Sequence, residues 1–82
     1  MASLKQYESW IVELEEGREP AGLTHISIGV GGKARFLAGE IASFEWPADQ
    51  RAQAQKLATR ARAVGRKYFD EDMQAYLERG PA

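Results

Sequence analysis

Residues 24–46 read THISIGVGGKARFLAGEIASFEW, and how this stretch is read decides the fold. Its first half alternates with a period of two. Ile26, Ile28 and Val30 point one way, while His25, Ser27 and Gly29 point the other. That is the pattern of a half-buried strand. Gly31-Gly32 then supplies two residues that tolerate positive φ, as a tight hairpin turn requires. From Lys33 to Trp46 a second extended run is expected. Phe36, Ala38, Ala42, Phe44 and Trp46 share one parity, although Glu40 shares it too, and Leu37 and Ile41 take the other. Gly39 sits where the alternation becomes mixed, which points to a bulge or to two short strands there. The reading is a β-hairpin. A two-stranded ribbon is marginal alone, so the flanking segments must pack on it.

Both flanks read as helices. Ser3 with Gln6 three residues on has the form of a capping box, and Leu4, Tyr7, Ile11 and Leu14 follow helical spacing, with Trp10 beside them. Gly17 is a C-terminal stop and Pro20 bars continuation, so helix 1 is expected over about residues 4–16. Downstream, Pro47 ends the extended run, and Pro47 or Asp49 starts a long helix. The expected class is therefore α+β. Residues 1–82 form one domain in the order helix, antiparallel hairpin (with a bulge or third short strand), long helix. That last helix is broken near residues 65–70 or followed by a short one, and the helices cover one face of the sheet.

Charge is sorted along this nearly neutral chain. Residues 51–67 hold Arg51, Lys56, Arg60, Arg62, Arg66 and Lys67 with no acid among them, whereas Glu8, Glu13, Glu15, Glu16 and Glu19 cluster near the start. At 100° per residue, Arg51, Arg62 and Arg66 lie along one flank of the helix, and Lys56, Arg60 and Lys67 lie along the other. Between the flanks runs an apolar face containing Leu57, Val64 and Tyr68. A second seam of small residues, Ala54, Ala58, Ala61 and Gly65, is expected to pack inside the chain rather than to form a dimer. Three readings fit the six cations: a solvated exterior partly paired with the glutamates of helix 1, a docking face for an acidic protein surface, or phosphate contacts. The third is the weakest. No aromatic is interleaved for base stacking, Gln53 and Gln55 are the only candidates for reading base edges, and the upstream segment reads as extended rather than as the first helix of a helix-turn-helix.

Beyond Tyr68 the apolar stripe rotates by about a quarter turn, bringing Phe69, Met73, Tyr76 and Leu77 onto one face. Completion of the core by a third helix is the plainer reading. Phe69, Met73 and Tyr76 are nonetheless the best candidates for an apolar patch that grips a partner or a second copy of the chain, because Tyr, Phe and Met anchor interfaces.

Tests for chemistry fail. Gly29-Val-Gly-Gly-Lys33-Ala34 resembles part of a phosphate-binding loop, but Ser27 stands where glycine is needed and Ala34 where Ser or Thr is needed. His25 is the only histidine and there is no cysteine, so a metal site would rest on carboxylates, and Asp70 and Asp72 lack the spacing of a calcium loop. No serine has a nucleophile-elbow context. No catalytic, cofactor or metal residue is nominated, and no cofactor is expected. The 82 residues are 44% hydrophobic and 28% charged, which suits a globular chain, and the net charge of −1 is unlike that of a dedicated nucleic-acid domain. With no apolar signal core or membrane span, the expected location is the cytoplasm. The expected function is a non-enzymatic protein-binding module, such as a small regulator, adaptor or inhibitor, including accessory proteins of phages or mobile elements. Its partner would carry an acidic patch, with a homodimer as a further option. The alternative is a nucleic-acid binder that lays the basic helix on phosphates.

Overall fold

A computed structural model describes residues 2–23 and 29–79, with side chains through Tyr68. Among the described residues there are three helices and no strand: α1 (Leu4–Glu15), α2 (Val30–Ser43) and α3 (Arg51–Arg79). The α+β expectation is overturned. Residues 30–43, read as the turn and second strand of a hairpin, form α2 instead. Residues 24–28, the first expected strand, lie outside the described residues, His25 among them.

The physical reason lies in a second period within the same residues. Gly31, Ala34, Ala38 and Ile41 fall at helical spacing, with Leu37 beside them, and all five are buried. Ala, Leu, Arg and Glu, which make up much of residues 34–40, are good helix formers. The glycines also serve a helix rather than a hairpin. Gly29 takes the positive φ of +92° just before α2, and Gly31 is buried within the first turn. Beside that first turn, a β-carbon built on Gly65 of α3 would lie 3.6 Å from the Gly31 carbonyl oxygen and 2.7 Å from Cγ of Arg35. Glycine at both positions lets α2 and α3 approach closely.

Helix α1 closely follows its expected bounds. Ser3 Oγ accepts a hydrogen bond from the Gln6 N–H at 3.1 Å and caps the N-terminus. At the other end Gly17 has φ +83°, its N–H donates to the Leu14 carbonyl at 3.0 Å, and the Arg18 N–H donates to the Glu13 carbonyl at 2.9 Å. These two bonds are those of a Schellman stop. After α2, Trp46 is buried and its Nε1–H donates to the Ile41 carbonyl at 2.8 Å, which satisfies an acceptor at the end of that helix. A 3-10 turn (Ala48–Gln50), begun by Pro47, leads into α3.

Unlike the expected broken helix, α3 runs unbroken for 29 residues, about 43 Å. It is the spine of the fold. It packs chiefly on α2 and to a lesser extent on α1. Leu57, Ala61 and Val64 of α3 meet Tyr7, Ile11 and Leu14 of α1 and Leu37 and Ile41 of α2 in one core. The small-residue seam is used within the chain, as expected, but much of it lies against α2 rather than a hairpin. Ala54, Ala58, Ala61 and Gly65 are all buried.

Candidate functional site

The six cations of residues 51–67 do not form one face. On the flank toward α1, Arg60 donates two hydrogen bonds to the Glu15 carboxylate, Nε at 3.0 Å and Nη2 at 2.7 Å, and lies 3.9 Å from Glu8. This bidentate pair holds the Glu15 carboxyl below the usual carboxylate range and raises the pKa of Arg60. Arg60 thus ties α3 to α1, which is the pairing with helix 1 glutamates that the charge pattern suggested. Lys67 lies over the Tyr68 ring at 5.2 Å from its centroid, and Lys56 is exposed on the same flank.

The other flank is different. Arg51, Arg62 and Arg66 border a groove between α3 and α2. Near the end of α2 this groove is a cleft of about 480 Å³ lined by Ala42, Phe44, Trp46, Arg51, Ala58 and Arg62, among others. It continues into a shallower depression of about 350 Å³ lined by Arg35, Ala38, Gly39, Arg62 and Arg66. Arg62 lines both, so the two depressions adjoin along the α2–α3 groove. Among the described residues, no acidic one lines either part. Among the described residues, no carboxylate lies within ion-pair distance of Arg51, Arg62 or Arg66. Arg51 is oriented by its Nε–H, which donates to the Trp46 carbonyl at 3.0 Å.

Local sequence explains why a groove exists. Arg35, Ala38, Gly39 and Ala42 occupy one row of α2 at spacings of three and four. Three of the four have little or no side chain, so the space between the helix surfaces stays open. At the mouth Phe44 is 42% exposed and makes an edge-on contact with Trp46, with ring centroids 4.6 Å apart. Trp46 in turn meets the buried Tyr7 edge-on at 6.1 Å, so the mouth rests on the core.

Arg35, Gly39 and Phe44 were not foreseen as site residues, because a strand reading leaves no second helix for them to face. A helical plot of residues 30–43 would have put Arg35, Ala38, Gly39 and Ala42 in one row of mostly small side chains. The apolar patch expected at Phe69, Met73 and Tyr76 lies outside the residues whose side chains are described. The unbroken α3 backbone gives positions 69, 73 and 76 the same helical register as Arg51, Arg62 and Arg66.

Elsewhere the chemistry is sparse. Glu19 accepts a hydrogen bond from Lys33 Nζ at 2.8 Å, which holds its carboxyl below the usual range and ties the segment after α1 to the first turn of α2. Among the described residues, no cluster of three His, Asp or Glu side chains could hold a metal ion. No described helix is long and apolar enough to cross a membrane. No family model matches the chain, and no curated protein or solved structure matches it either.

Proposed function

We propose that the chain is a non-enzymatic protein-binding module that takes an acidic partner surface against the groove between α2 and α3. One observation carries this reading. Arg51, Arg62 and Arg66 border two adjoining depressions with no acid among their described lining residues, whereas Arg60 on the opposite flank is already satisfied by Glu15. Cations beside a cleft attract an acidic surface, speed its encounter and fix its orientation. The exposed Phe44 ring at the mouth adds apolar contact of the kind that anchors interfaces.

The test is differential capture from lysate of the native host. Immobilised chain should retain an acidic protein, Arg62→Glu with Arg66→Glu should lose it, and Lys56→Glu should keep it. Equal capture by all three would overturn the reading.

A second reading, nucleic-acid binding through the basic flank of α3, stays open. The segment before α3 is a helix, but seven residues join the two and they pack side by side, unlike a helix-turn-helix pair. Nucleic-acid binding would appear as capture abolished by nuclease, and as affinity for duplex DNA that falls steeply with salt.

A further inference from the structure

The geometry points to an acidic amphipathic helix of the partner as the occupant of the α2–α3 groove, crossing closest at Gly39. This inference rests on the protein-binding reading above and names the form its ligand takes.

Three observations converge. The first is shape. A groove between two helices, with Ala38, Gly39 and Ala42 along one wall, Ala54 and Ala58 along the other and two adjoining depressions in it, accepts a third helix by ridge-into-groove packing. From Arg51 to Arg66 it spans about 22 Å, the length of about 15 helical residues. The second is charge. Arginines at Arg51, Arg62 and Arg66 punctuate the α3 side of this length, which matches carboxylates flanking an apolar stripe on the occupant. The third is Gly39 itself. It sits in the interior of α2, is exposed, and a β-carbon built there would meet nothing within 4 Å. Among the described residues no contact requires glycine at this position, and glycine weakens a helix interior relative to alanine. Close approach of another backbone is the physical use that such a glycine serves.

The occupant therefore presents Leu- or Ala-type residues to the floor and Glu or Asp toward the arginines. A single-stranded or duplex nucleic acid would use the arginines but not the apolar floor, and it would be indifferent to one small side chain at Gly39.

The experiment uses the full chain and a fluorescein-labelled synthetic helix of about 15 residues, with Leu and Ala on one face and Glu on both flanks. Oligoglutamate, the same peptide with Lys for Glu, and duplex DNA serve as comparison probes. The variants are Gly39→Ala, Gly39→Gln, Arg62→Glu and Lys56→Glu, each melted by circular dichroism. The expected result is micromolar binding of the acidic amphipathic peptide. Affinity should fall from Gly39 to Ala to Gln, by about ten-fold or more for Gln, while the melting temperature holds or rises. Arg62→Glu should weaken binding comparably, and Lys56→Glu should not.

If the peptide binds, needs Arg62 and ignores Gly39→Ala and Gly39→Gln, the helix-in-groove inference fails and the protein-binding reading stands. If oligoglutamate or duplex DNA binds as tightly as the amphipathic peptide, the groove floor plays no part and the inference fails. If none of the acidic probes binds, both fall. A folding defect in Gly39→Gln is separated by Gly39→Ala, whose single methyl group must by itself weaken the peptide for the inference to hold.

Discussion

The Tyr68 hydroxyl lies 2.7 Å from the position that a β-carbon on Gly17 would occupy. Gly17 is thus confined twice, by its φ of +83° and by the ring that α3 lays over the end of α1. Gly17→Ala should lower stability by about 1–2 kcal/mol, the strain of a left-handed alanine plus the displaced tyrosine. Tyr68→Phe in the same chain should recover only the steric part. Urea unfolding of the two single variants and the double variant measures this directly, and strict additivity would mean that the ring does not press on Gly17.

Arg60 and Glu15 join α3 to α1, so their pair reports on that contact rather than on binding. Arg60→Ala should cost about 0.5–1 kcal/mol, since both side chains are substantially solvated. The Glu15 carboxyl is held below its ordinary value by the hydrogen bonds from Arg60. A depressed folded value contributes stability above the ordinary carboxylate range, and that contribution is lost as pH falls through the depressed value. The gap in urea midpoint between the parent chain and Arg60→Ala should therefore close in strong acid. A gap that stays constant from neutral pH to strong acid would exclude the pair as its source. Binding to the groove should be unchanged.

Tyr7 is fully buried, and its hydroxyl makes no well-aligned hydrogen bond. Burial first, and then the neighbouring Glu40 carboxylate, push its ionisation up to about 12. The raised value keeps its contribution intact below the unfolded tyrosine pKa near 10 and removes it as pH rises through the folded value. Alkaline unfolding should follow, and Tyr7→Phe should blunt it by an amount on the order of 2 kcal/mol. At neutral pH the same substitution should be nearly neutral, because it removes a hydroxyl that lacks a good partner. A pH-stability profile of both chains decides the matter.

Two glycines within helices should respond in opposite directions. At Gly65 a side chain would run into Arg35 beside the α2 crossing, so Gly65→Leu should destabilise by about 1–3 kcal/mol through overpacking. At Gly39 nothing stands in the way, so Gly39→Ala should stabilise by about 1 kcal/mol through helix propensity. Thermal melts of the two variants would show the opposite signs. A loss at Gly39→Ala would mean that its surroundings are tighter than they stand here.

Legibility in the sequence followed the locality of the signal. Helix α1 could be read because Ser3 and Gly17 mark its ends within a few residues of the chain they act on. The buried face of α3 could be read because Leu57, Ala61 and Val64 repeat along one helix. Helix α2 could not. Its buried row is largely Gly and Ala, which carry little hydrophobic contrast, while the alternation of Ile26, Ile28 and Val30 and the pair Gly31-Gly32 carried a strong hairpin signal. Packing against Gly65, distant in sequence, favours the helix. The same distance hid the division of the basic residues. Only the fold brings Arg60 to Glu15 and leaves Arg62 beside Arg35 and Gly39.

Trp46 sits in the wall of the groove, while the chain's other tryptophan, Trp10, stands beside Gly22 and Tyr7. The molecule therefore carries its own optical reporter. Replacing Trp10 with phenylalanine leaves one indole in the groove wall, already buried, which reports a ligand by a change in emission intensity rather than by a large spectral shift. Occupancy can then be followed without attaching a dye to the protein.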